Sequence, residues 1–203
     1  MYKRQKLTNG NNHILIALKS GKAIHFEESK VRSMGRTASG VRGITLGNPK
    51  DEVVGMICVD SENDDTSVLV VSEKGYGKRT DVDDYRITNR GGKGVKTINV
   101  TDKTGQLIAL KAVTDEDDLM IINKTGITIR MAVEDLRVMG RATQGVRLIN
   151  LKGSDEIAAV AKVPAADPEE EEEVAEGEAP DVTAEGETSA DDQATDEGES
   201  SEE

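Results

Sequence analysis

Gly35-Arg36-Thr37-Ala38-Ser39-Gly40-Val41-Arg42-Gly43-Ile44 returns twice further along the chain, as Arg90-Gly91-Gly92-Lys93-Gly94-Val95-Lys96-Thr97-Ile98 and as Gly140-Arg141-Ala142-Thr143-Gln144-Gly145-Val146-Arg147-Leu148-Ile149. Working backward from each copy, the same register holds without gaps to Gly21, Gly75 and Gly126, which lie 54 and 51 residues apart. Cations share columns between these landmarks: His25, Arg79 and Arg130, then Arg32, Arg86 and Arg137, then Arg36, Arg90 and Arg141. Apolar residues close the match, Ile44, Ile98 and Ile149 followed two positions on by Leu46, Val100 and Leu151. The body of the chain is therefore a tandem array of three units.

Each unit reads as four short strands. A β-branched and aliphatic run comes first, Ile14 to Leu18, Val68 to Val71 and Leu119 to Ile122. A turn ending in the shared glycine leads to a second strand, such as Lys22 to Phe26 or Ile127 to Met131. The third follows the Gly-Val-cation step, and the fourth is Val53 to Val59, Leu107 to Val113 or Ile157 to Val163. The link from Glu27 to Met34 is short and polar, enough for a turn and no helix. Four strands in about 50 residues is the pattern of a propeller blade. The expected fold is all-β, with blades near 13–60, 67–113 and 118–163 inside a body spanning 1–163. Closed propellers use about 4–8 blades, so three units are expected to be the C-terminal part of a longer array.

Charge divides the chain at the same place. Of 39 acidic residues, 18 fall in 164–203, where there is no Lys or Arg, leaving 21 against all 26 bases in the body. The body's net charge is thus +5 and the tail's −18, and the overall −13 describes neither. A segment this acidic and this poor in apolar residues cannot offset the entropy of ordering, so 164–203 is expected to be disordered. A basic body beside an acidic tail points to a polyanionic partner.

The basic-glycine segments suit phosphate. Glycines let backbone N–H groups approach an anion closely while neighbouring cations neutralise it. Repeated once per blade, they would make a discontinuous stripe that grips duplex DNA without reading its bases. The residues expected on that stripe are Arg36, Arg42, Lys78, Arg79, Arg90, Lys93, Lys96, Arg130, Arg141 and Arg147. The alternative has the same side chains tying each connecting segment to carbonyls or carboxylates of the next blade. It weighs most on Arg42, Lys96 and Arg147, whose strand parity matches the apolar Ile44, Ile98 and Ile149.

Catalytic constellations are not found. Gly75-Tyr76-Gly77-Lys78-Arg79-Thr80 lacks the leading glycine of a phosphate loop, Ser72 standing in its place. One cysteine, Cys58, and two histidines, His13 and His25, are too few for a disulfide framework or a Cys/His zinc cluster. Cys58 reads as a small core residue, and His25, in a column otherwise arginine, as an exposed cation site. Pairs such as Asp64-Asp65 and Asp117-Asp118 read as solvated loop carboxylates. No apolar run reaches the ~20 residues of a membrane span, so no membrane partner is expected and a reducing, cytoplasmic setting is. With no Trp, one Phe and three Tyr, the chain lacks the stacking surfaces of single-strand binders.

The segments Gly35 to Ile44, Gly75 to Thr80 and Gly140 to Arg147, followed by the acidic tail, closely resemble the last blades of the C-terminal domain of the gyrase A protein, a DNA topoisomerase component. The resemblance implies a six-bladed β-pinwheel of which this chain holds about half. It implies wrapping of duplex DNA on a basic rim, in the service of negative supercoiling by a DNA gyrase holoenzyme that uses ATP and Mg. The partners implied are duplex DNA, the rest of gyrase A, and gyrase B, in the bacterial cytoplasm at the nucleoid. The family's signature glutamine-arginine-arginine-glycine-glycine-lysine-glycine box is absent. Arg90-Gly91-Gly92-Lys93-Gly94 imitates its end, and only phosphate binding carries over. Neither a catalytic residue nor a cofactor is expected in this chain, and Tyr2, Tyr76 and Tyr85 do not match the cleavage tyrosine. Two rivals remain: the related A component of topoisomerase IV, whose domain the resemblance also covers, and a protein-interaction propeller.

Overall fold

The computed structural model describes residues 5–60 and 65–165. The expected disordered tail, apart from Pro164 and Ala165, lies outside the described residues, as does Asp64.

Among the described residues, eleven strands follow one another: β1 (Asn12–Leu18), β2 (Lys22–Glu27), β3 (Val53–Asp60), β4 (Ser67–Ser72), β5 (Tyr76–Asp81), β6 (Val95–Lys96), β7 (Leu107–Val113), β8 (Asp117–Asn123), β9 (Thr128–Ala132), β10 (Val146–Arg147) and β11 (Ile157–Pro164). The links after β2 and β5 hold single 3-10 turns, Glu28–Lys30 and Val82–Asp84. The strands form three antiparallel sheets, ordered β3-β1-β2-β6, β10-β5-β4-β7 and β11-β8-β9. Each β1–β2 type hairpin turns at the template glycine. Gly21, Gly75 and Gly126 all hold φ between 75° and 93°, a left-handed conformation that costs a side-chain-bearing residue about 1–2 kcal/mol.

The third strand departs from the sequence-based expectation. β6 belongs to the second repeat but pairs with β2 of the first, Lys22 opposite Lys96 and Ala23 opposite Val95. β10 of the third repeat pairs in the same way with β5 of the second, Gly77 opposite Val146 and Tyr76 opposite Arg147. Each of the first two blades thus lacks an outer strand of its own and takes one from the repeat that follows. The donor strands are only two residues long, too short for the turn-and-strand pattern of one repeat to reveal which sheet they join.

Blades stack face to face through aliphatic layers. Leu15, Ala17, Ile57 and Val59 of the first blade meet Val68, Val70, Ile98, Leu107 and Leu110 of the second. On the second blade's other face, Leu69, Val71 and Ala109 meet Leu119, Ile121, Leu136 and Ile157 of the third. Strand alternation does this: even and odd positions of β4 serve opposite neighbours, which is why Ser67–Ser72 is buried throughout. Strands β3, β7 and β11, which end the repeats, lie at one edge of each sheet, and the donor strands lie at the opposite, outer edge. The basic-glycine segments therefore run along the outside of the blades.

Candidate nucleic-acid interface

Outer-edge segments divide their cations into two groups. Arg36, Arg42 and Lys93 have exposed side chains that make no hydrogen bond or ion pair to another described residue. Lys96 and Arg147 are also exposed, reaching the asparagine three positions on, 3.3 Å from Asn99 Oδ1 and 3.1 Å from Asn150 Oδ1. Arg147 further donates to the Tyr76 hydroxyl at 3.0 Å and lies 5.5 Å from the ring centroid. The outward orientation of Lys96 despite matching parity has a local cause. Thr97 N and Ile98 N both donate to Gly21 O, so alternation breaks where the strand ends and Ile98 turns inward.

The remaining expected cations act as ties. Arg90 donates from Nε to Lys30 O and from Nη1 to Arg42 O, joining two points of the first repeat's segment. Arg141 donates to Lys96 O at 3.1 Å, the corresponding tie between third and second repeats. Arg130 is exposed but pairs with Asp118 at 2.6 Å and donates to Pro164 O. Arg79, 9% exposed, pairs with Asp115, and its Nε is buried without a partner among the described residues. Lys78 is corrected most: at 1% exposure its ammonium lies inside the blade junction, 2.6 Å from Gly140 O and 3.1 Å from Thr143 Oγ1. Burial lowers its pKa from 10.5 to about 8. Lys78 holds the third repeat's segment in place, Arg79 is committed to Asp115, and neither presents a free charge to a ligand.

His25 is likewise not exposed, at 3%. Lacking the reach of an arginine, its ring bonds Tyr85 O through Nδ1 at 2.6 Å and His13 Nδ1 through Nε2 at 2.9 Å. Burial lowers its pKa below the usual 6.5. Cys58 is half-buried in β3, its pKa raised by the same loss of hydration, as suits a packing residue. Asp117 and Asp118 are a further correction: both are buried at the start of β8, paired with Lys162 and Arg130.

One set of cations is absent from those expected at the interface. Arg32, Arg86 and Arg137 have exposed side chains that make no hydrogen bond or ion pair to another described residue, and they recur once per repeat at the start of each outer segment. Their shared column was the available signal. Arg86 and Lys93 line an open cavity of about 250 Å³ with Thr88, Gly92 and Gly94. At the next junction Lys78, in the column of Ile24, crosses instead to Gly140 O. A larger cavity, about 450 Å³, mixes Lys74, Lys103 and Arg147 with Asp155 and Glu156, and the carboxylates oppose an anion there.

No helix among the described residues is long and apolar enough to cross a membrane. The family model for "DNA gyrase C-terminal domain, beta-propeller" matches residues 12–60, 66–114 and 117–164, one match per blade. The DNA gyrase A subunit of Staphylococcus epidermidis strain ATCC 12228 is 49% identical over 158 residues, covering 78% of this chain and 18% of the relative. That of Staphylococcus aureus strain MRSA252 is 49% identical over 169 residues, covering 83% and 19%. The chain thus spans about a fifth of the length of these relatives. A solved DNA gyrase A C-terminal domain superposes with TM-score 0.66 at 27% identity, covering 75% of this chain and 50% of that one. The C-terminal domain of DNA topoisomerase IV does so with TM-score 0.72 at 23% identity, covering 84% and 52%, a likeness of fold. With interlocked blades of the same architecture and a family match over each of them, the chain belongs to the family of the DNA gyrase C-terminal domain, a β-propeller of pinwheel form.

Proposed function

We propose that this chain binds and wraps duplex DNA without sequence preference, as the outer module of a gyrase A-type protein. The observation that carries this reading is the set of uncommitted cations on the outer segments: Arg32, Arg36 and Arg42, then Arg86 and Lys93, then Arg137. Each blade contributes at least one, beside glycine backbone, in a body whose net charge is +5. Lys96 and Arg147 stand on the same outer strands and add to the track. Arg90 and Arg141 shape the segments, and Lys78, Arg79 and Arg130 anchor the blades behind them.

Bending a site of 20–30 base pairs costs about 1–6 kcal/mol, which phosphate contacts spread over successive blades can offset. The chain supplies binding and orientation only. Strand cleavage, ATP and Mg belong to the rest of the enzyme. Its proposed assembly partners are the gyrase A core and gyrase B, in the bacterial cytoplasm at the nucleoid. The 49% identity to gyrase A sequences favours gyrase over topoisomerase IV as the parent enzyme.

Titrating a mixed-sequence duplex against salt tests the reading. Each neutralised phosphate adds about 0.9 to the slope of log K against log salt, so six contacts give a slope near −5 and about a 10³-fold loss between about 50 and 200 mM. A flat binding constant over that range rejects it and leaves the protein-interaction propeller.

A further inference from the structure

The two strand exchanges share one plan and differ in the chemistry that fills it. At the junction of the second and third repeats, Tyr76 lies opposite Arg147. Arg147 Nη2 donates to the Tyr76 hydroxyl at 3.0 Å, and the guanidinium lies 5.5 Å from the ring centroid, so the acceptor strand holds the cation of the donor strand. At the junction of the first and second repeats the same two positions are Lys22 and Lys96. An ammonium group stands where the aromatic ring stands one blade on. Residues directly opposite in an antiparallel pair have Cβ atoms about 4.5–5.5 Å apart, and like charges there are destabilising.

No carboxylate among the described residues pairs with either lysine. Lys22 is exposed and makes no hydrogen bond or ion pair to another described residue. Lys96, also exposed, reaches only the neutral Asn99 Oδ1, at 3.3 Å. The repulsion falls on a short seam. Lys22 opposite Lys96 and Ala23 opposite Val95 are its whole ladder, with Thr97 N and Ile98 N donating to Gly21 O just beyond. The backbone beneath both ammonium groups is nevertheless fixed. A Cβ on Gly21 would fall 2.9 Å from Ile98 O, and Arg141 donates to Lys96 O at 3.1 Å.

We propose that a phosphate group bridges Lys22 and Lys96, and in doing so locks β6 onto β2. A phosphodiester suits the place, because its two free oxygens share a negative charge and each can accept a charge-assisted hydrogen bond from one ammonium. Bridging turns repulsion across the seam into attraction to both strands. This deepens the DNA reading and rests on it for the source of the phosphate, the duplex backbone. It adds Lys22 to the track. The column of Lys22 otherwise holds Tyr76 and Ile127, so repeat spacing gave no sign of a cation there. It also couples binding to folding: the duplex tightens the first blade junction, whereas the second is closed by Tyr76 and needs no anion.

Melting of the full chain without DNA, in chloride and in inorganic phosphate at equal ionic strength, provides the first test. Lys22→Tyr copies the second junction. In chloride it should melt above the wild type, and phosphate should raise the wild type about 2–4 °C more than the variant, narrowing that gap. Lys22→Arg, which keeps the charge, should respond to phosphate as the wild type does. The second test titrates a mixed-sequence duplex against salt. Lys22→Tyr should flatten the slope of log K against log salt by up to about 0.9, and Lys22→Arg should leave it unchanged. A purely structural lysine would not give a variant that is more stable and yet weaker on DNA. Equal phosphate responses in wild type and Lys22→Tyr, or a Lys22→Tyr chain that keeps the wild-type salt slope, would each overturn the proposal. A wild type that binds no duplex would overturn the DNA reading, and with it the duplex as the source, whatever phosphate does to its melting.

Discussion

Lys78 shows how far a residue's column and its duty can part. In sequence it sits beside Arg79 in a glycine-flanked basic run, yet β5 turns it into the junction, where Gly140 O and Thr143 Oγ1 receive its ammonium. Burial holds its folded pKa near 8 against 10.5 in the free side chain. Between those values the unfolded chain binds a proton that the folded chain has released. Raising pH through about 8 to 10.5 therefore favours the folded state at this site. Comparing urea midpoints of the wild type and Lys78→Met at about pH 7.5 and about pH 10 isolates the effect: the wild type should gain on the variant at the higher pH. A difference that is constant with pH would mean that the ammonium is as well hydrated folded as unfolded. His25 parts from its column too, since an imidazole is shorter than the guanidinium arms with which Arg79 and Arg130 reach carboxylates, and it turns to Tyr85 O and His13. Composition and spacing report the repeat at such positions, but the direction of a side chain depends on what the neighbouring blade offers it.

At the scale of elements, the two-residue donor strands hold the array together by geometry more than by length. Gly94 and Gly145 combine a left-handed backbone with close approaches, 2.6 and 2.5 Å from an added Cβ to Ala23 O and Gly77 O. Gly145→Ala should lower stability by the left-handed cost of about 1–2 kcal/mol plus the displacement of β10 from β5. Gly40→Ala, with a similar φ and open space, should cost no more than the first part. Chemical denaturation of the two variants reads the difference, and equal losses would show that β10 is not seated as described. The donor strands were legible in the sequence as Gly-Val-cation steps. Their destination was not, because two residues carry no periodicity and pairing across repeats leaves no mark within either one.

For the whole molecule, the separation of ties from free cations makes the DNA reading selective. Replacing Arg32, Arg86 and Arg137 together by Gln should reduce the salt slope by nearly three, at about 0.9 per phosphate, and leave stability within about 0.5 kcal/mol per site, as surface substitutions do. Filter binding at several salt concentrations checks it, and an unchanged slope would exclude this column from the DNA track. The acidic tail should compete with DNA for the same cations, being tethered at millimolar-scale effective concentration. Ending the chain after Ala165, which keeps Pro164 O for Arg130, should raise affinity at low salt, and equal affinities would remove the tail from that role. From residue order alone came the three repeats, the all-β blades, the family, and the charge division between body and tail, because each is written locally in spacing and composition. Only the tertiary structure decided that blades exchange outer strands, that Lys78 and Arg79 face inward, and that Arg32, Arg86 and Arg137 stand free. Those outcomes depend on which surfaces of successive repeats meet, and contact between residues in different repeats is set by packing, to which no single repeat holds the key.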